Sequence, residues 1–477
     1  MGQTANEHLF TQLAATIASG IASGSYRRGE RLPSLRRLQQ ARGVSLATAY
    51  RAYEDLEARG LIEVRPRSGF FVSSAPPQRG APPRLSGRPI GPRPVTVAAA
   101  ASDVIAASLD PSLVPFGAST LCSEWLPTRH MARILRDLLA SQLEAVLNYA
   151  PSEGDPELRR TLAGRSVLWG APVAEDQIVV TAGCAEAVSL ALRAVAPAGS
   201  PVVVESPTHF GFLQILRELG HPALALPTDP TRGLEPAALR DALARHKVGA
   251  CLLTPHFQNP LGFLMPDERK QEIVELTNRH GVPLIEDDIY GDLSFAAKRP
   301  TLMRRYDLRG LVTTCSSVSK VLAPGFRVGW CIPGERHVSR VLRLKAATTL
   351  ASATLAQKAT QRFLGAGAFD RHLRHLRERL RIATGRMAES LSRSFPEEAR
   401  FVAPPGGNMF WVELPAGVDA MRLSRRAREA GISIVPGNVF SPGNAYASHV
   451  RLTCTRPFDD RMAAGIATLG KLIRAQR

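Results

Sequence analysis

A lysine follows a run of hydroxyl side chains at Ser316-Ser317-Val318-Ser319-Lys320, and Arg327 stands seven residues further on. The lysine amine is a nucleophile, the hydroxyls can donate hydrogen bonds, and a guanidinium suits a phosphate group. A lone lysine in such a run also occurs in ordinary, solvated surface loops. As a site, however, the set provides what pyridoxal phosphate needs, which is an amine for its aldehyde and a polar cup for its phosphate.

A second cluster, Ile285-Glu286-Asp287-Asp288-Ile289-Tyr290, lies at the end of an apolar run. A carboxylate at the C-terminal end of a strand points into the crevice where α/β folds bind ligands. Asp287 could there pair with a protonated pyridine nitrogen and make the ring an electron sink. An acidic run that caps a helix would have the same sequence pattern.

Two loops could complete such a site. The segment Thr254–Gly262 follows an apolar run, and its Asn259-Pro260 suits a tight loop from which Asn259 could bond a phenolic oxygen. The segment Thr181–Ala187 reads as a strand-to-helix turn whose backbone N–H groups can cradle a phosphate. Alone, this last signal is weak.

The elements that must position these residues alternate along the chain. Short apolar runs alternate with amphipathic stretches of helix length, and these runs are Gln177–Val180, Pro201–Glu205, Val248–Thr254 and Val282–Glu286. This alternation predicts an α/β domain around a mostly parallel sheet. From about Asp370 a long charged helix and strands near Phe401–Val402 and Met409–Leu414 predict a smaller subdomain, formed mainly by about 360–477.

The N-terminal residues predict three helices and a hairpin. Leu9–Ile21 has helical apolar spacing, Ser34 and Ser45 can cap two further helices, and Gly43 supplies the turn between them. On the third helix we expect a buried apolar stripe, formed by Ala49, Ala52, Tyr53 and Leu56. The opposite face is expected to be polar and offers Thr48, Arg51 and Asp55. Two strands around a basic turn at 65–69 complete a winged helix-turn-helix, although any three-helix bundle with surface arginines looks similar.

Composition sets the boundaries of the whole chain. The 477 residues carry a net charge of +18, which favours an anionic partner such as nucleic acid. The Pro/Arg-rich run from Ala75 to about Pro94 predicts an exposed linker, so the expected parts are 1–74, a linker over 75–100, and 101–477. We expect no membrane span, no signal peptide and, from six cysteines without C-x-x-C spacing, a cytoplasmic protein without zinc or disulfides.

The N-terminal part resembles the GntR-type winged helix. The matching residues include Leu32-Pro33-Ser34, Val44-Ser45, Ala52-Tyr53 and Gly69-Phe70-Phe71-Val72. The resemblance implies DNA contacts by six residues, which are Arg36, Ser45, Thr48 and Arg51, with Arg67 and Gly69 at the wing. The chain departs from the pattern at Leu46, which can make only apolar contacts in the groove, so the operator sequence does not follow from the family.

The large part, from about Tyr149 to Arg451, resembles the fold-type I aminotransferases. The resemblance implies that Lys320 forms the internal Schiff base with pyridoxal phosphate, Asp287 pairs with the pyridine nitrogen, and Asn259 and Tyr290 bond the phenolic oxygen. It implies a phosphate cup formed by Gly183, Cys184, Ala185, Ser317, Ser319 and Arg327. Tyr149 would reach a phosphate across a homodimer interface, and Arg451 would clamp a substrate carboxylate. His209 stands where an aromatic residue usually stacks on the ring.

Together the two parts and the linker resemble the MocR subfamily of transcription regulators. The resemblance implies a homodimeric regulator that binds promoter DNA, associates with the nucleoid when DNA-bound, and senses an amino compound through an external aldimine. Sensing of the cofactor supply itself stays open. The alternative is a true aminotransferase with an accessory DNA-binding module, in which Lys320 serves as base for a proton shift.

Overall fold

The chain divides into two compact units, Met1–Arg79 and Gly80–Arg477, in the computed structural model. The residues it describes are 2–22, 25–26, 29–58, 61–65, 68–72, 81–85, 91–95, 106–107, 110–365, 367–443 and 445–476. Across these ranges, no helix is both long and apolar enough to cross a bilayer.

The first unit is a winged helix-turn-helix, as the sequence predicts. Its elements are α1 (Gly2–Ala22), α2 (Leu35–Arg42), α3 (Leu46–Ala58), β1 (Ile62–Arg65) and β2 (Gly69–Val72). The Ser34 hydroxyl caps α2 by accepting a bond from the Arg37 N–H at 3.3 Å, and Gly43 ends this helix with φ 63°. Tyr53 is fully buried, and its hydroxyl donates to the Pro33 carbonyl at 2.8 Å, which ties α3 to the start of α2.

The second unit contains the remaining helices and strands. Its helices are α4 (Thr128–Ser141), α5 (Leu143–Leu147), α6 (Pro156–Ser166), α7 (Cys184–Val195), α8 (Phe210–Glu218), α9 (Pro236–Arg245), α10 (Asp267–His280), α11 (Val338–Ala346), α12 (Thr354–Gly365), α13 (Ala368–Ser394), α14 (Ala420–Glu429) and α15 (Asp460–Arg474). Its strands are β3 (Val114–Pro115), β4 (Val179–Thr181), β5 (Val202–Ser206), β6 (Ala223–Asp229), β7 (Gly233–Leu234), β8 (Ala250–Leu253), β9 (Leu284–Asp287), β10 (Val312–Ser317), β11 (Gly329–Ile332), β12 (Met409–Glu413), β13 (Ile432–Ser433), β14 (Val435–Pro436) and β15 (His449–Thr453).

The large sheet has eight strands in the order β4-β11-β10-β9-β8-β5-β6-β7. Strands β10, β9, β8, β5 and β6 are parallel neighbours, and β11 runs antiparallel between β10 and β4. The central strands are buried on both faces, which explains their continuous apolar runs. Because the parallel strands end at one edge, the loops after β4, β5, β8, β9 and β10 all open into one crevice.

A smaller, three-stranded sheet has the order β12-β15-β14, and the long helix α13 shares its hydrophobic core. The strand expected at Phe401–Val402 is wrong. The neighbouring Arg400 instead makes one isolated antiparallel bridge to Glu413, with both backbone N···O distances at 2.9 Å. The apolar pair at Phe401–Val402 fits a strand by propensity, but Phe401 is buried in the core without a continuous ladder partner among the described residues.

The run predicted to be an exposed linker is partly docked on the second unit. Among its described residues, Pro83 and Val95 are buried. Arg93 makes an antiparallel bridge with Ala223 at the start of β6. The expectation of exposure is therefore wrong for these residues, because proline limits their hydrogen bonding but does not prevent side-chain burial.

Candidate functional site

Lys320 lies in the short turn after β10, at the C-terminal edge of the large sheet. Its amine donates to the Ser119 hydroxyl at 2.9 Å and to the Ser119 carbonyl at 3.1 Å, and it lies 5.9 Å from the Tyr290 ring centre. Burial, together with the nearby positive charge of Arg451, lowers the pKa of this amine to about 8. The lysine is thus a nucleophile at mildly basic pH.

Asp287 ends β9 and is buried beside Cys184, whose thiol donates to the Asp287 carboxylate at 3.2 Å. Burial raises the pKa of Asp287 to about 7, and the neighbouring Asp288 also acts to raise it. Asp288 itself is held ionised, because Arg299 lowers its pKa against the effect of burial. Asp287 is therefore a buried carboxyl that a cationic ring nitrogen would stabilise in its ionised form.

The predicted phosphate cup is assembled around the turn before α7. The Arg327 guanidinium donates to the Ala182 carbonyl at 3.1 Å and approaches the Ser319 hydroxyl at 3.4 Å. Gly183 has φ 93°, and a Cβ atom there would collide with that guanidinium. The positive φ favours glycine at this position, and the turn lies directly against the Arg327 guanidinium.

His209, Asn259 and Arg451 form a hydrogen-bonded chain across the crevice. Asn259 Nδ2 lies 3.2 Å from His209 Nδ1, and Arg451 Nη1 lies 3.3 Å from Asn259 Oδ1. Burial lowers the pKa of His209 to about 3, so its ring is neutral and Nδ1 accepts from the amide. The Arg451 guanidinium also donates to the Gly117 carbonyl, and its buried Nε has no hydrogen-bond partner among the described residues.

The segment Phe116–Ser119 is a part of the site that the sequence analysis missed. Its Gly117 carbonyl contacts Arg451, and Ser119 contacts Lys320. Thr453 on β15 donates its hydroxyl to the Phe116 carbonyl at 3.0 Å. No motif marks this segment, since it lies 201 residues before Lys320 and acts partly through backbone carbonyls.

Tyr149 stands apart from these residues, on the surface. Tyr149 is 84% exposed. Three exposed leucines precede it in the same part of the chain, and a fourth lies in a neighbouring segment; they are Leu139, Leu143 and Leu147, and Leu350. The Thr354 hydroxyl donates to the Asn148 carbonyl at 2.8 Å and thereby joins the two segments. We call these five residues the apolar patch.

In the first unit, the predicted DNA-contacting residues occupy different environments. Arg36 and Arg51 are exposed, and Gly69 pairs with Arg65 at the base of the wing, while Arg67 lies outside the described residues. The expectation that Thr48 lies on the exposed face of α3 is wrong. Thr48 is 3% exposed, because it lies one helical turn before the buried Ala52 on the same face of α3, and its hydroxyl lies 2.7 Å from the Ser45 hydroxyl that caps the helix.

Tyr50 takes the exposed place beside Arg51 instead, with its side chain 49% exposed. Leu46 is also exposed, at 47%, at the N-terminal end of the same helix. The N-terminal end of a second helix in this motif is the part that approaches base edges. The surface of α3 that could face DNA therefore comprises Leu46, Tyr50 and Arg51.

The comparisons with known proteins agree with both units. Residues 114–466 match the aminotransferase class I and II family, and residues 9–72 match the gntR family of bacterial regulatory proteins. The uncharacterized HTH-type transcriptional regulators YjiR and YdcR of Escherichia coli are 35% and 36% identical, over 97% and 98% of this chain and 98% and 99% of theirs. The α-aminoadipate aminotransferase LysN of Thermus thermophilus superposes with a TM-score of 0.74 at 28% identity, over 80% of this chain and 95% of its own.

These matches define a winged-helix regulator whose second unit has the fold-type I aminotransferase architecture, in which the relatives depend on pyridoxal phosphate. The chain belongs to the MocR-type GntR regulators. Family membership implies that it binds pyridoxal phosphate and DNA, and the site described above fits that cofactor.

Proposed function

We propose that this regulator holds pyridoxal phosphate through Lys320 and uses it to recognise an amino compound that carries a carboxylate. The observation that supports this proposal best is the convergence of Lys320, Asp287 and Arg451 on one crevice, in a chain that also carries a winged helix. The cofactor supplies an aldehyde that condenses with amines.

Lys320 provides the amine that anchors the cofactor, and Asp287 pairs with the ring nitrogen. Asn259 and Tyr290 donate to the phenolic oxygen, and His209 lies against the ring face. The phosphate is held by the cup residues, which are Gly183, Cys184, Ala185, Ser317, Ser319 and Arg327. Arg451 holds the carboxylate of the amino compound in a two-pronged contact, which a guanidinium is suited to make, and its Nε has no partner among the described residues.

We further propose that the working form is a homodimer that pairs through the apolar patch. Exposed apolar residues that are concentrated in one part of a protein are typical of interaction sites, and Tyr149 belongs to the stretch that carries three of the exposed leucines. In such a dimer the partner subunit's Tyr149 contributes to the phosphate cup. A dimer also presents two winged helices to two half-sites of a promoter.

The cofactor assignment is tested by reduction with borohydride after incubation with pyridoxal phosphate, followed by peptide mapping. The label is expected on Lys320 and absent from Lys320→Ala, whereas the exposed Lys298→Ala keeps it. A label on another lysine, or a label that persists in Lys320→Ala, would contradict the assignment.

The regulatory role is tested by footprinting on DNA from the chain's own upstream region, with the cofactor and a panel of amino acids. We expect protection of two half-sites that changes with one member of the panel. Turnover of an amino donor and a keto acid at roughly 1–1,000 per second, the range of metabolic enzymes, would instead favour an aminotransferase.

A further inference from the structure

Tyr290 lies between two carboxylates that share one guanidinium. Asp288 stands two residues before it and Asp292 two residues after it. Arg299 donates through Nη2 to Asp288 Oδ2, and through Nε to Asp292 Oδ1 at 2.7 Å. The side chains of Arg299 and Asp288 are only 8% and 3% exposed. We call these two carboxylates and the guanidinium the clamp, because one side chain joins both ends of the segment that carries Tyr290.

The backbone of this segment lies directly against the clamp. A Cβ atom at Gly291, the residue after Tyr290, would collide with the Asp288 carboxylate and the Arg299 guanidinium. The first end of the segment is also joined to β10, because the Asp288 N–H donates to the Cys315 carbonyl at 2.8 Å. The clamp therefore contacts the main chain on which the Tyr290 side chain is mounted.

The same network reaches the loop that carries Asn259. His256, three residues before Asn259, is fully buried, and its Nδ1 lies 2.6 Å from Asp288 Oδ1. The other ring nitrogen, Nε2, lies 3.1 Å from the Thr301 carbonyl. Residues 299–301 thus contact both loops whose side chains are expected to meet the phenolic oxygen of the cofactor.

The physical value of the clamp is geometric. A buried ion pair adds little net stability, because the loss of hydration offsets the attraction between the charges. A guanidinium, however, donates from a rigid planar fork, so it fixes the directions of the carboxylates that it binds. In the clamp, the fork sets the spacing of Asp288 and Asp292. That spacing sets the position of the residue midway between them.

We propose that Arg299 is a positioning residue for the cofactor. Through the clamp it holds Tyr290 where the hydroxyl can donate to the phenolic oxygen. Through the bond between His256 and the clamp, the same network holds Asn259 there. This inference rests on the proposed function, which supplies the roles of Tyr290 and Asn259. Because Arg299 acts through these two donors, its effect on cofactor binding depends on the phenolic oxygen itself.

The test compares pyridoxal phosphate with 3-deoxypyridoxal phosphate, which keeps the aldehyde and the phosphate but lacks the phenolic oxygen. Titration of the full-length protein, followed by absorbance, measures the dissociation constant of each compound. Arg299→Lys keeps the charge and removes the fork. We expect the dissociation constant of pyridoxal phosphate to rise roughly tenfold in this variant, because two hydrogen bonds are misaligned. That of the deoxy compound should change less than about twofold.

The matched control is Arg269→Lys. The Arg269 side chain is 10% exposed and pairs with Glu235 at 3.1 Å, so the variant alters an equally buried guanidinium outside the clamp. It should change neither dissociation constant by more than about twofold. Circular dichroism and thermal shift report the folding of each variant. Asp292→Asn changes the more exposed end of the clamp, at 20%, and should show the same selective loss, roughly threefold, if Arg299→Lys does not fold.

The possible results separate the positioning role from the proposed function. An equal rise for both compounds, or no rise for pyridoxal phosphate in a folded clamp variant, would overturn the positioning role alone. If the wild type binds the two compounds equally well, the roles of Tyr290 and Asn259 at the phenolic oxygen are wrong, and the positioning role is wrong with them. Failure of the wild type to bind pyridoxal phosphate would contradict the proposed function.

Discussion

At the scale of single residues, the reactivity of Lys320 is set by its surroundings. Burial lowers the pKa of its amine to about 8, from an ordinary value of 10.5. Only the neutral amine attacks an aldehyde, so the rate of covalent cofactor capture should rise with pH and level off above about 8. Stopped-flow absorbance from about pH 6.5 to about pH 10 measures this midpoint. A midpoint near the ordinary value would mean that the amine is hydrated like a surface lysine.

Ser119 gives a second prediction at the same scale. Its hydroxyl accepts from the Lys320 amine at 2.9 Å, a contact that favours the charged form. Ser119→Ala is therefore expected to move the midpoint of capture to lower pH, by roughly half a pH unit. The exposed Ser123→Ala, in the same stretch of chain, serves as control and should leave it unchanged. An upward movement of the midpoint in Ser119→Ala would show that the hydroxyl does not stabilise the ammonium.

Sequence reasoning can find residues whose side-chain type is required by the chemistry of the site. A lysine after hydroxyls and a carboxylate after an apolar run stand out without any structure. Ser119 could not be found in this way, because it meets Lys320 only through the folding of a chain segment 201 residues away. Its neighbour Gly117 contributes a carbonyl, which every residue has, so its type carries no signal.

At the scale of elements, helix α3 shows how a periodic pattern can mislead near a terminus. The apolar stripe from Ala49 to Leu56 is buried as predicted, and Thr48, four residues before the buried Ala52, is buried with it while its hydroxyl bonds that of Ser45. The pattern assumes that a polar side chain needs water, but at the first turn a hydroxyl can bond the helix cap instead and so tolerate burial. The same reasoning predicts that Arg51, not Thr48, contacts DNA directly.

Arg51→Ala is expected to weaken binding to an upstream DNA fragment roughly tenfold. Because an arginine that neutralises one phosphate releases about one counterion, the slope of log K against log salt concentration is expected to fall in magnitude by about 1. Cofactor capture should stay unchanged, because Lys320 lies in the other compact unit. Arg422→Ala, which removes an exposed arginine from α14, is the matched control. Fluorescence anisotropy over a salt series measures both quantities. Unaltered affinity for Arg51→Ala would exclude this surface of α3 as the reader.

At the scale of the whole molecule, the sequence could predict the two units but not how the segment between them behaves. Proline and arginine content predicts an extended, exposed chain. The burial of Val95 and the pairing of Arg93 with Ala223 depend on an open strand edge that only the folded sheet provides. The apolar patch has the same origin, because exposure is a property of the assembled surface.

The patch leads to a prediction about assembly. Leu147, with a 76% exposed side chain, is expected to be buried in the dimer, so Leu147→Asp places a charge in an apolar interface. We expect the dimer dissociation constant to rise roughly a hundredfold, a cost of about 2–3 kcal/mol. Cofactor affinity should fall in the same variant, because each site would lose the partner subunit's Tyr149.

Sedimentation velocity measures the first effect, and titration with pyridoxal phosphate measures the second. Leu308→Asp is the matched control, since Leu308 is 93% exposed in a different part of the chain and should change neither quantity. The two effects separate the roles of the patch. If Leu147→Asp is monomeric but keeps its cofactor affinity, each subunit completes its own phosphate cup. If the variant remains dimeric, the subunits pair through another surface.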